Sequence, residues 1–201
     1  MAPIAERTHV DGRVARSLRT RGAIVEALIA LVEDGAIQPT VEEIAARAGV
    51  APRTVFQHYP DREALHAAVS EWMRNRLEEL MGVIDVDLPF DDRVEAIVEQ
   101  RVRVYEWITP IRRAALLLEP TLTSVRDALE TVRAIKRADA LRIFAREIEA
   151  RPAAKRSAVE AALGAVTCWA GWDALRSQQG LDVDEAAAAL RHAVRAVLVV
   201  D

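Results

Sequence analysis

Residues 40–65 read Thr-Val-Glu-Glu-Ile-Ala-Ala-Arg-Ala-Gly-Val-Ala-Pro-Arg-Thr-Val-Phe-Gln-His-Tyr-Pro-Asp-Arg-Glu-Ala-Leu, and the fold follows from how this stretch is punctuated. Thr40 with Glu43 three residues on is the pattern of a capping box, in which a hydroxyl and a carboxylate satisfy each other's backbone N–H at a helix start. Ile44, Ala45 and Ala48 give that helix a buried side, and Gly49 stops it after about two turns. Pro52 suits the first position of the next helix, because its missing N–H would be unpaired there anyway. That helix ends by Tyr59, since Pro60 drives its predecessor out of the α region, and Asp61 caps a third. Two short helices joined by Gly49, Val50 and Ala51 form a candidate helix-turn-helix, in which one helix holds another against the major groove. Val55 and Tyr59, at i and i+4, can pack toward Ile44 and Ala48, which leaves Arg53 and Gln57 pointing outward together. Arginine can grip guanine with two hydrogen bonds and glutamine can do the same for adenine. Thr40, His58, Tyr59 and Arg62 stand at helix ends, within reach of phosphates. The same spacing also suits an ordinary three-helix packing unit with a solvated outer face.

Outward from this stretch the pattern stays helical. Residues 18–33 place Ile24, Leu28 and Leu31 on one face, with Gly35 as the stop. The helix after Asp61 carries Leu65, Val69, Trp72, Met73, Leu77 and Leu80 to Gly82, and residues 83–90 read as a connector. A helix from Asp91 aligns Val94, Ile97, Val98, Val102 and Tyr105. Thr109 and Pro110 read as a cap and first-turn proline that start another helix, closed by Pro120. Residues 124–150 and 153–178 are further helices, and Asp184 caps a last one through Val200. With only 8 Gly and 8 Pro, abundant alanine and no alternating β-branched runs, the chain reads as all-α with about nine helices. The expected organisation is a flexible basic arm at 1–17, a helix-turn-helix domain at 18–62 and a helical ligand-binding and dimerisation bundle at 63–201.

Charge and composition narrow the function. The net charge is -4, but residues 1–22 hold Arg7, Arg13, Arg16, Arg19 and Arg21 against Glu6 and Asp11. A basic segment on an acidic chain suggests a polyanion near the N-terminus, and the arm is expected to approach phosphates or the minor groove. Hydrophobic residues at 51% and charged residues at 29% exclude wholesale disorder. No apolar run approaches the ~20 residues of a membrane span, and no secretory signal is legible, so the cytoplasm is the expected compartment. A lone cysteine, Cys168, excludes a disulfide framework. Catalysis has little to stand on. His9, His58, His66 and His192 have no second ligand type at metal-binding spacing, there is no glycine-rich phosphate loop, and Cys168 sits in an apolar helix. Neither an enzyme nor a metal or other cofactor is expected.

Residues 18–65, and 40–65 above all, resemble the DNA-binding signature of TetR-type transcriptional repressors. The resemblance implies a homodimer that binds a palindromic operator and is released by a small molecule held in the C-terminal helices. It implies phosphate contacts for Thr40 and Arg62, a recognition helix carrying Arg53, Thr54, Gln57 and His58, and an aromatic position for Tyr59 facing core or DNA backbone. Ala51 stands where serine is common in that family and Phe56 where tyrosine is common, so a cap oxygen and a hydroxyl–phosphate bond are missing.

In the C-terminal helices the bulky residues Met73, Leu77, Tyr105, Trp107, Phe144 and Trp169 are candidates to line a ligand cavity, with ordinary core as the competing reading for each. No cluster of buried charges is evident in the sequence, so the expected effector is apolar or amphipathic. Ala161, Gly164, Cys168, Gly171 and Leu175 recur at i+3 and i+4, a narrow face that lets another helix approach closely. Ala186, Ala189, Leu190, Ala193, Val197 and Val200 form a second stripe on the last helix. These two stripes are the expected homodimer interface, a two-fold four-helix contact. The competing reading packs them on helices of the same chain. DNA binding that weakens steeply with salt separates a DNA reader from an enzyme or a helical scaffold.

Overall fold

The computed structural model describes residues 12–199. They form α1 (Gly12–Glu33), α2 (Val41–Ala48), α3 (Pro52–His58), α4 (Arg62–Met81), α5 (Phe90–Leu118), α6 (Thr123–Ile143), α7 (Ala145–Glu149), α8 (Ala153–Val166), α9 (Trp169–Asp173), a π-helical turn (Ala174–Gln178) and α10 (Val183–Leu198). No strand occurs among the described residues, so the all-α reading holds. The chain divides into two compact units, one ending at Val69 and the other starting at Ser70, and α4 contributes to both.

In the N-terminal unit, Ile24, Val25, Leu28, Ile29 and Val32 of α1 are buried, as are Ile44 and Ala45 of α2, Val55 of α3, and Tyr59. Gly49 closes α2 at φ 68°, and Val50 N–H donates to Ala45 O at 3.0 Å. No atom lies where a side chain on Gly49 would point, so glycine is required for its backbone conformation alone. The first helix begins at Gly12, earlier than the expected residue 18. Nothing after Gly12 breaks a run rich in Arg, Ala and Leu, so the helix extends into solvent with Val14 and Leu18 exposed. Residues 12–17 are therefore helical, and the rest of the basic arm lies outside the described residues, as does Val200.

The C-terminal unit is built around α5, which packs on α6, α9 and α10. Four boundaries differ from the sequence reading. α5 runs through Pro110 without a new start. Proline removes only the bond to the Glu106 carbonyl, and the buried residues on both sides, Val104, Tyr105 and Ala114, keep the helix in place. The expected helix at 124–150 breaks at Phe144 (φ -112°, ψ 25°), whose ring is fully buried. The expected helix at 153–178 breaks at Thr167 and Cys168, Cys168 being extended at φ -82°, ψ 163°. That break has no glycine or proline; a tertiary bond holds it, from the Tyr105 hydroxyl to Thr167 O at 2.6 Å. Finally, Asp182 rather than Asp184 caps the last helix, in a capping box with Glu185.

Candidate nucleic-acid interface

α2 presents the expected cap. Glu43 N–H donates to Thr40 Oγ1 at 3.2 Å, and Thr40 N–H donates to Glu43 Oε2 at 2.7 Å. These bonds hold the Glu43 carboxyl below its ordinary pKa, the Thr40 backbone bond contributing most. The Thr40 hydroxyl also donates to Glu43 Oε2 at 2.9 Å, and Thr40 is exposed. Exchanging that one proton from carboxylate to a phosphate oxygen would leave the cap in place.

α3 is buried on one side only. Val55 faces the interior, while Arg53 and Gln57 are exposed and have no side-chain partner among the described residues. Phe56 is 55% exposed on the same short helix, and Thr54 and His58 are half-buried. Arg62 is exposed at the start of α4.

Tyr59 is placed differently from the other candidate DNA contacts. It is buried, and its hydroxyl donates to Arg21 O at 3.1 Å. Arg21 in turn donates to His58 O at 2.9 Å and lies over the Tyr59 ring at 4.6 Å. This reciprocal clamp fixes the C-terminal end of α3 to α1. Burial outweighs the nearby guanidinium, so the Tyr59 pKa is raised. Sequence reasoning counted Arg21 only among the arginines of the basic segment 1–22 and missed the clamp, because its partners lie far along the chain and share no periodic pattern with it.

The C-terminal unit holds the other candidates. Met73, Leu77, Tyr105 and Phe144 are buried, and Trp107 and Trp169 are half-buried against the main hydrophobic core. A surface cleft of about 460 Å³ is lined instead by Glu106, Thr109, Pro110, Arg113, Asp173, Arg176 and Ser177. None of the six candidate ligand-lining residues borders that cleft, and its walls are polar. The reading that no buried charges cluster is overturned: Arg101, Arg112 and Lys136 are 0%, 9% and 8% exposed. An i, i+4 pattern that alternates charge with apolar residues does not reveal which charges point inward. Among the described residues no group of His, Cys, Asp and Glu could hold a metal ion.

The small-residue face is not continuous. Ala161 and Gly164 lie on α8, Cys168 at the break, Gly171 on α9 and Leu175 in the π-helical turn. A Cβ on Gly171 would stand 3.0 Å from Ala165 O of its own chain, so that glycine serves an internal contact. A Cβ on Gly164 would meet only the Arg137 side chain at 3.7 Å. On α10, Ala186 and Leu190 are buried with Val194 and Leu198, which removes the first two from the expected interface. Ala189, Ala193 and Val197 remain half-buried and Ala161 exposed.

Comparison with known proteins bears on both units. Residues 24–69 match the bacterial regulatory proteins of the tetR family. None of the curated proteins matches the chain. Among solved structures, a transcriptional regulator from Rhodococcus sp. Rha1 is similar with a TM-score of 0.67 at 17% identity, over 92% of this chain and 99% of that one. A TetR-like transcriptional regulator from Rhodococcus sp. RHA1 has a TM-score of 0.59 at 16% identity, over 90% of this chain and 95% of that one. The SmeT–triclosan complex has a TM-score of 0.59 at 18% identity, over 90% of this chain and 92% of that one. No helix among the described residues is long and apolar enough to cross a membrane. Residues 24–69 are thus similar to the bacterial regulatory proteins of the tetR family, and over nearly its whole length the chain has the fold of these solved transcriptional regulators.

Proposed function

We propose that the protein is a ligand-responsive, homodimeric regulator that reads a palindromic duplex with α3 and leaves it when a small molecule occupies the C-terminal unit. The observation that carries this reading is the two-sided α3. Its inner side and the adjoining Tyr59 are held by burial and the Arg21 clamp, while Arg53 and Gln57 are exposed and unengaged. In this reading Arg53 and Gln57 contact base edges, Thr40, Thr54, His58 and Arg62 contact the phosphate backbone, and Tyr59 positions the helix without touching DNA. The half-buried Ala189, Ala193 and Val197, with Ala161, are the surface offered to a second copy. Two recognition helices in successive major grooves then stand about 34–36 Å apart. α4, which runs unbroken from the Arg62 end to Met81, is the element through which a ligand would change that spacing.

The test selects a cognate site from random duplexes and measures binding across salt concentrations. Arg53→Ala should cost about 1–3 kcal/mol on that site and relax base preference there. Arg62→Ala should weaken all sequences alike and flatten the salt slope by about one unit. Binding that ignores salt, or an Arg53→Ala variant with unchanged affinity and preference, removes the reading.

A further inference from the structure

The interior of the C-terminal unit is short of negative charge. Arg101 and Arg112 stand on one face of α5, with Tyr105 between them. Lys136 reaches in from α6, its Nζ 4.3 Å from the centre of the Tyr105 ring. That nitrogen is buried and has no hydrogen-bond partner, as is true of Arg101 Nε and Arg112 Nε. Arg112 lies over the Trp169 ring at 5.7 Å.

The available carboxylates are already committed. Asp139 takes Arg101 at 3.4 Å and Arg142 at 2.9 Å. Glu119 is held by Arg133 through two bonds of 2.7 and 3.0 Å. The remaining Arg101 contacts are Gln100 Oε1 and, at 3.1 Å, Lys136 O, which are neutral. Three buried cations thus share part of Asp139 and the field of a Glu119 already bonded to Arg133. Buried charge is costly unless it is paired, and here the pairing is incomplete on the side that faces aromatic rings.

We propose that Lys136, Arg101 and Arg112 are the anion end of an effector site, and that the effector is a small organic acid whose apolar body packs against Tyr105 and Trp169. This rests on the ligand-responsive reading above and narrows its apolar or amphipathic effector to an acid. Cations stripped of water bind a carboxylate far more strongly than exposed ones, and they reject its neutral isostere because the isostere leaves them unpaired. Trp169 Nε1 donates to Thr109 Oγ1 at 3.0 Å, and Thr109 is a wall residue of the 460 Å³ cleft. The same indole therefore bonds a cleft-wall residue and stacks under Arg112, and in this proposal its rotation admits the acid.

Proton traffic follows from the arrangement. Burial, Arg101 and Arg112 depress the Lys136 pKa well below its ordinary value, against which Asp139 acts weakly. Tyr105, the other titratable group facing it, is pushed upward by burial and stays neutral. An arriving carboxylate favours the charged amine, so binding draws a proton onto whatever fraction of Lys136 is neutral.

The experiment uses the full chain at constant ionic strength with benzoate and phenylacetate as probes and benzamide and phenylacetamide as neutral counterparts. Thermal midpoints and tryptophan fluorescence are followed. The acids should raise the midpoint and shift the fluorescence, and the amides should do neither. Lys136→Met and Arg112→Gln should each weaken acid binding by about tenfold or more. Calorimetric titration in buffers of different ionisation enthalpy should show proton uptake in the wild type that Lys136→Met abolishes, a readout that mere packing would not move. Acids and amides acting alike, no response to either acid, or wild-type acid affinity in Lys136→Met overturns the proposal. If Arg112→Gln fails to fold, Lys136→Met and the proton count decide alone. DNA binding by random-duplex selection separates the two readings. Salt-sensitive DNA binding without acid binding sinks only the acid site. Acid binding without DNA binding sinks the regulator.

Discussion

Replacing Lys136 with methionine should stabilise the C-terminal unit. The Lys136 side chain is 8% exposed, its Nζ lacks a hydrogen-bond partner, and it rests on the Tyr105 ring at 4.3 Å with Asp139 as a weak counter-charge. Burying an unpaired charge costs several kcal/mol, and a desolvated cation–π contact returns about 2 kcal/mol or more. Methionine removes the first term and keeps a polarizable chain over the ring. The net gain near neutral pH should be about 1–3 kcal/mol, or roughly 2–4 °C per kcal/mol in a unit of this size. The sign with pH is fixed by the depressed Lys136 pKa. Between that folded value and the ordinary value of 10.5 the unfolded chain binds a proton that the folded one refuses, so wild-type stability rises with pH across this window. The advantage of Lys136→Met is therefore full below the folded pKa and vanishes as pH approaches 10.5. Urea unfolding at several pH values from 7 to 10 measures it. Trp72, Trp107, Trp169 and Trp172 all lie beyond Ser70, so fluorescence reports this unit and not the other. A destabilised Lys136→Met, or a difference that does not shrink with pH, refutes the buried-cation argument.

Three further outcomes concern the broken helix. Tyr105→Phe strands the Thr167 carbonyl now bonded at 2.6 Å, and urea unfolding should show a loss of about 1–3 kcal/mol; an unchanged midpoint means the break is held by something else. Gly171→Ala should destabilise by about 1–3 kcal/mol because its Cβ would press on backbone oxygens at 3.0 and 3.2 Å. Gly164→Ala should instead stabilise by up to about 1 kcal/mol, since its Cβ finds ordinary contact at 3.7 Å and helix propensity improves. Equal effects at the two glycines, by thermal unfolding, would show that neither contact is local.

What could be read from sequence was what local chemistry controls. The capping box at Thr40 and Glu43, the left-handed Gly49, the first-turn Pro52 and the stop before Pro60 are each decided within four residues, and each is where it was expected. The errors share one cause. Pro110 is helical because buried neighbours outweigh one lost hydrogen bond, and the chain breaks at Thr167 because a tyrosine on α5 captures its carbonyl. Neither fact is visible within a window along the chain. The same holds at the two candidate sites. Arg53 and Gln57 are legible because they need only point outward, whereas Arg21 works through Tyr59 and looks in sequence like one more arginine of the basic N-terminal segment.

The interior charges carry this contrast furthest. Lys136 and Arg133 both belong to α6, in similar sequence surroundings, yet one is buried and the other exposed. Arg133 has a dedicated carboxylate in Glu119, and Lys136 has none. A chain selected for stability alone would place methionine or leucine at 136, because an apolar side chain there escapes the desolvation cost altogether. Retaining an ammonium where stability argues against it is the pattern expected of a binding site that is incomplete until its ligand arrives. Arg101 is better paired, its guanidinium keeping Asp139 and two neutral oxygens, whereas Arg112 has an indole face and the field of a Glu119 already bonded to Arg133. Lys136 and Arg112 are therefore the residues at which an acid should gain most, ahead of Arg101.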